Sequence, residues 1–223
     1  AAQALDTVAL NSTGDTRLEG SLNVGSLTTD AGGTSLLNGG TITSVGAVTF
    51  NDNVTLGADL TITTTNAAVL FNGSVNSVDT NALGLLVNTG SGNIRFASTM
   101  GNAQALDVVT LNSSGGTRLD GSMNVGSLTT NAGGTLALNA GTITASGGIS
   151  LGEAVTLERD VTLTGVDVTL VSTVNGAQAL TITDAGSTTL GAALGGVTPL
   201  TGLAINSASL QINAVTVSGD AVI

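Results

Sequence analysis

The phrase SLNVGSLTTDAGG at Ser21–Gly33 returns almost unchanged as SMNVGSLTTNAGG at Ser122–Gly134, 101 residues later. At that offset Ala2–Thr34 and Ala103–Thr135 agree at 26 of 33 positions, and the differences are mild: Leu22 against Met123, Glu19 against Asp120, Asp30 against Asn131. The match loosens but persists where VTFNDNVTLGADLTIT from Val48 faces ISLGEAVTLERDVTLT from Ile149. A third, partial copy opens at Asn175, where NGAQAL repeats the GNAQAL of Gly101 in slightly altered order. A chain that repeats itself on this scale reads as an array of stacked units, here 1–101, 102–174 and a partial 175–223.

Within the units, apolar-Thr-apolar triplets recur: Val48-Thr49-Phe50, Val54-Thr55-Leu56, Leu60-Thr61-Ile62, then Val155-Thr156-Leu157 and Val161-Thr162-Leu163. Strict alternation with β-branched residues marks strands. These triplets start six residues apart, with turn-forming segments such as Asn51–Asn53 and Gly57–Asp59 between them. That spacing is too tight for ordinary hairpins of a sandwich or barrel, and no stretch carries a helical apolar stripe. Three strands and three corners of this size make a coil of roughly 20 residues, and stacked coils make an all-β parallel β-solenoid, a β-helix. The 101-residue offset then reads as five whole coils, which brings the duplicated phrase back to the same face. Val54 and Val155, like Leu56 and Leu157, are expected to point inward at equivalent positions, with Thr55 and Thr156 outward.

Composition suits such a coil. Hydrophobic residues make up 41% of the 223 residues, charged residues only 9% and aromatics 1%, so the core is built from Val, Leu, Ile and Ala, and Thr, Ser, Asn and Gly coat the surface. A mean hydropathy of +0.44 opposes disorder. Repeats such as AQALDVVTLNSSGGTRLDGSMNVGSLTTNAGGTLALNAGTITASGGISL resemble the repeat regions of large secreted bacterial exoproteins of the filamentous-haemagglutinin-like class and of some autotransporter passenger stalks. That resemblance implies a right-handed solenoid displayed outside the cell as a structural fibre or adhesin stalk. The secretion module of such exoproteins carries Asn-Pro-Asn motifs; the one proline here, Pro199, follows Thr198, so the resemblance is to stalk repeats. The chain starts Ala-Ala-Gln and carries no apolar run long enough to cross a membrane as a helix, and a fragment of a longer repetitive chain is expected.

With no His, Cys or Lys, the usual metal ligands, general bases and thiol or Ser-Lys nucleophiles are missing. Carboxylate couples remain conceivable, Asp52 with Asp59 or Glu153 with Asp160, as in solenoid glycosidases. Their positions between strands fit backbone turn chemistry better. Neither Gly32-Gly33, Gly115-Gly116, Gly133-Gly134 nor Gly195-Gly196 continues into a calcium-binding nonapeptide, and GAALGG from Gly191 lacks the lysine and helix of a phosphate loop. A net charge of −11 repels nucleic acid and anionic lipid. Arg17 with Glu19, and Arg118 with Asp120, read as surface ion pairs about five coils apart on one face; Arg95 and Arg159 read as further surface residues. No catalytic, cofactor-binding or metal residue is therefore expected. The leading functional reading is a rigid structural spacer of an extracellular surface adhesin or fibre, whose partners are neighbouring repeats or copies of itself and, through regions outside this sequence, a cell-surface ligand. A self-assembling filament or sheath subunit is the alternative. Ice binding through threonine ladders such as Thr61–Thr65, or carbohydrate chemistry, stands behind both.

Overall fold

In the computed structural model, which describes residues 5–222, the chain winds into a parallel β-solenoid of about 11 turns. All of the strand ladders among the described residues are parallel, and no helix interrupts them. Each turn has three sides. On the first, Leu22, Ile42, Ile62, Val87 and Leu111 stack in register. On the second, Leu27, Val48, Val69, Ile94, Thr117, Leu136 and Val155 do so. On the third, Ser35, Val54, Val75, Met100, Met123, Ile143 and Leu163 follow one another. Alternation decides which side chains enter: in Val48–Phe50 and Val168–Leu170 the outer two residues are buried and the central Thr is not. The result is one continuous core running from Val24 to Ile205.

The three phenylalanines of the chain meet in one column. Phe50 and Phe71 stack with centroids 5.1 Å apart, Phe71 and Phe96 at 4.7 Å, with rings 17° and 5° from parallel. Leu119, Leu138 and Leu157 continue the same column. A leucine therefore already has a place in this packing, and Phe71→Leu is expected to cost only about 1–2 kcal/mol. Because Phe71 stacks on both sides, its loss should lower the urea midpoint more than Phe96→Leu does.

Coil length varies, and this overturns the reading of the repeat as five whole coils. One turn takes 20 residues from Ile42 to Ile62, 25 from there to Val87, 24 to Leu111 and 19 to Thr130. The two long turns carry the extra corner segments 78–84 and 101–105. Five turns from Leu22 end at Thr130, not at Met123. The duplication therefore spans about four and two-thirds turns, and the second copy sits one face away from the first: Leu22 lies on the first face, Met123 on the third; Val54 on the third, Val155 on the second. Val54 and Val155 are inward all the same, with 1% and 3% exposure. A shift of one side preserves burial because inward and outward are set by the two-residue period of each strand, and the three sides present similar parallel ladders.

Each copy keeps its internal stacking, 20 residues from Leu22 to Ile42 and 20 from Met123 to Ile143. Corner bonds are kept too. Ser12 N–H donates to Asp30 Oδ1 at 3.0 Å, and Ser113 N–H to Asn131 Oδ1 at 2.8 Å. Asn66 and Asp167, again 101 apart, both adopt left-handed backbone, φ 58° and 67°, and each side chain accepts an N–H from the next coil, Ser91 and Ser187. Asn and Asp tolerate that conformation because a short polar side chain bonds locally. Three separate strands per turn hold in turns such as Thr41–Leu56, whereas Leu22–Thr29, Leu106–Ser113 and Met123–Thr130 each run on across a corner, as do the longer Ala179–Leu194 and Gly202–Val215, with irregularities between Asp184 and Ser187 and between Leu190 and Ala193. There the corner is made by a bulge, which bends a strand without ending it.

Candidate functional site

The carboxylates of the imagined acid–base couples are not brought together. Asp52 and Asp59 sit at opposite ends of Asn53–Leu56, and Glu153 and Asp160 at opposite ends of Ala154–Leu157. Four strand residues separate each pair by about 13 Å. Within each pair one acid is buried and the other faces solvent. Paired glycosidase carboxyls face one another across a single bond at roughly 5–9.5 Å. Each acid instead bonds the backbone or a hydroxyl of another coil. Asp52 accepts Gly33 N–H on Oδ1 at 3.2 Å and the Ser35 hydroxyl on Oδ2 at 2.8 Å. Asp59 accepts Gly84 N–H, and Asp160 accepts Ala179 N–H, both at 2.8 Å.

Three carboxylates are buried: Asp52, Glu153 and Asp184. Nothing in the residues TITDAG marks Asp184 as buried, since they read like an exposed turn. Its Oδ1 accepts Asp167 and Gly186 N–H at 2.8 Å, and its Oδ2 accepts Val168 N–H at 3.0 Å and the Thr188 hydroxyl at 2.8 Å. Desolvation pushes its pKa up, but these donors outweigh that and hold it below the ordinary carboxylate value. Glu153 occupies the position of Asp52 in the second copy. Its Oε1 accepts only the Thr117 hydroxyl at 3.1 Å, and its Oε2 has no partner. Burial raises its pKa to about 7, against the hydroxyls of Thr117 and Thr130.

The arginines are not on one face. Arg17 lies on the third, in register with Leu36, and Arg118 on the second, beside Arg95. The one-side shift between copies is the cause. Among the described residues no ion pair joins Arg17 to Glu19, which accepts the Asn38 amide at 2.8 Å. The second copy does form its pair: Arg118 Nε lies 2.7 Å from Asp120 Oδ1, and the same guanidinium reaches Glu158 at 2.6 Å. Arg95 Nε joins at 2.9 Å from Asp120 Oδ2. Desolvation raises the Asp120 pKa, but the Asn139 amide and both arginines hold it below the ordinary value. Arg159 is exposed.

Arg95 and Arg118, with Leu70 and Ala137 one coil to either side, line a shallow groove of about 290 Å³. Since Asp120 and Glu158 already occupy Arg118, the groove offers little unspent charge. Gly191 lies within Ala179–Leu194, and Gly195 and Gly196 follow its end, with Gly195 at φ +68° turning the corner. Among the described residues no group of three or more His, Cys, Asp or Glu gathers to hold a metal. No protein-family model, no curated protein and no solved structure matches this chain.

Proposed function

We propose that this chain is a rigid, non-catalytic spacer of an extracellular surface adhesin or fibre. The observation that carries this reading is the unbroken core from Val24 to Ile205, with coil tied to coil by parallel ladders on three sides. At about 4.8 Å per coil, eleven coils hold their ends about 50 Å apart. The corner acids Asp52, Asp59, Asp160 and Asp184 support it as well, because each accepts hydrogen bonds from another coil.

Threonine ladders favour the spacer over a planar binder. Thr41 and Thr43 stack on Thr61 and Thr63 on the first face; Thr142 and Thr144, Thr162 and Thr164, Thr181 and Thr183 stack on the third. A flat crystal surface touches one side of a rod at a time, and the shift between copies divides these threonines between two.

Electron microscopy of the native material, with intact cells labelled by an antibody to this chain, tests the proposal. Thin rods on the cell surface, lengthened in proportion when coils are added, are the expected result. A regular lattice with this chain in each repeat would instead establish the filament subunit, and a turnover abolished by a single carboxylate change would establish an enzyme.

A further inference from the structure

Glu153 is a buried acid that the spacer reading leaves unused. It lies at the corner between Ile149–Leu151 and Ala154–Leu157 and is 1% exposed. Its hydroxyl partner Thr117 stands two coils away, below Leu136 and Val155 in the same ladder, so the side chain spans the intervening coil at Gly134. That glycine is required: a Cβ there would stand 3.0 Å from Glu153 Oε1, 2.8 Å from the Ser113 carbonyl oxygen and closer still to that of Gly115. Three acceptor oxygens thus lie around the point where that Cβ would stand, the Gly115 carbonyl already accepting Thr135 N–H at 3.1 Å and Glu153 Oε1 accepting the Thr117 hydroxyl. Oε2 has no hydrogen-bond partner, and the nearby Thr130 hydroxyl only opposes the rise that burial imposes on the pKa.

The first copy is an internal control. Asp52, one methylene shorter, stops at the adjacent coil and satisfies both oxygens there. In the second copy the acid is one methylene longer and the hydroxyl of Ser35 is replaced by the apolar side chain of Leu136, so the carboxyl reaches further and keeps an orphan oxygen.

No cation compensates. The corners packed around Glu153, residues 113–115, 131–134 and 171–173, carry no charged side chain, and neither do Met123–Thr130, Thr135–Leu138, Ile149–Leu151, Val168–Leu170 or Val174–Asn175. Asp107 on Leu106–Ser113 is exposed, and Arg95 and Arg118, on Ile94–Phe96 and Gly116–Leu119, are engaged on the outer side with Asp120 and Glu158.

We propose that Glu153 is a proton-operated latch: as a neutral acid it ties together three successive coils in the middle of the rod, and on ionisation it becomes an unpaired buried charge that loosens them. A neutral carboxyl supplies the missing donor among these acceptor oxygens, whereas a carboxylate adds a charge with no counter-ion. The raised pKa, about 7 against an ordinary 4.5, agrees. Since the folded value lies above the unfolded one, the stabilisation is fully present below about pH 4.5 and is lost as pH rises through 7.

Carbon-detected NMR titration of the wild-type protein, with thermal melts of wild type, Glu153→Gln and Asp52→Asn at pH 5 and pH 9, tests this. The Glu153 carboxyl is expected to titrate near 7. The wild-type midpoint should fall about 5 °C further between pH 5 and pH 9 than that of Glu153→Gln. Asp52→Asn should keep the wild-type pH dependence. Titration of Glu153 at the ordinary carboxylate value, or equal pH dependence in wild type and Glu153→Gln, would overturn the latch. So would a rise in midpoint on adding Ca²⁺ that Glu153→Gln abolishes, because the corner would then be a cation site.

Discussion

Val155→Asp is expected to unfold the coils around it, with a loss of about 4 kcal/mol or more, whereas Thr156→Asp one residue on should cost under about 1 kcal/mol. Val155 is 3% exposed and stacked between Leu136 and Val174. An aspartate there enters an apolar column with no cation within the core, and the buried charge stays unpaired. Thr156 faces out, in register with Ala137 and Asn175, and its replacement meets water. Hydrogen exchange would locate the damage: protection should vanish first in the coils above and below Val155 and persist further along the rod. Equal tolerance of the two changes would show that the alternation at Ala154–Leu157 is misassigned.

Excising Thr41–Leu60 should yield a shorter solenoid that still melts cooperatively and keeps its β spectrum. Those twenty residues are one whole turn, because Thr41 and Thr61 are ladder partners. Removing them lets Ile62 take the place of Ile42 above Leu22, and Val69 that of Val48 above Leu27. Coils contact only their neighbours, so the remaining register survives. Excising Val45–Val54 instead removes half a turn with the corners at Gly46 and Asp52. The strands beyond then meet the wrong ladders, and the product should aggregate. If both deletions behave alike, the coil is not the unit of stability.

Much of this fold is legible in the residues alone. Triplets such as Val54-Thr55-Leu56 announce short half-buried strands, because a two-residue period has one structural meaning, and the Asn, Asp and Gly clusters between them announce corners. The disposition of the acids is less legible. Asp52, Glu153 and Asp184 are buried while Asp59 and Asp160 are not, yet all five sit in similar polar turns. Whether a corner side chain points in or out depends on which donors the adjacent coil presents, and those belong to residues 16 to 25 positions away.

Alternation, strand spacing and repetition thus determined by themselves that this chain is a stacked β-coil with a Val, Leu and Ile interior, since these are local properties that any neighbour of the same kind satisfies. The phase of the two copies was decided only in three dimensions. Phase is a running total of coil lengths, and the extra residues at 78–84 and 101–105 enter that total without altering a single strand motif. Those residues turn a 101-residue duplication from five coils into four and two-thirds, place Arg17 and Arg118 on different sides, and set the Glu153 corner on a different edge of the rod from that of Asp52. A local pattern records which side of a strand is buried; only the summed path around the axis records which face that strand occupies.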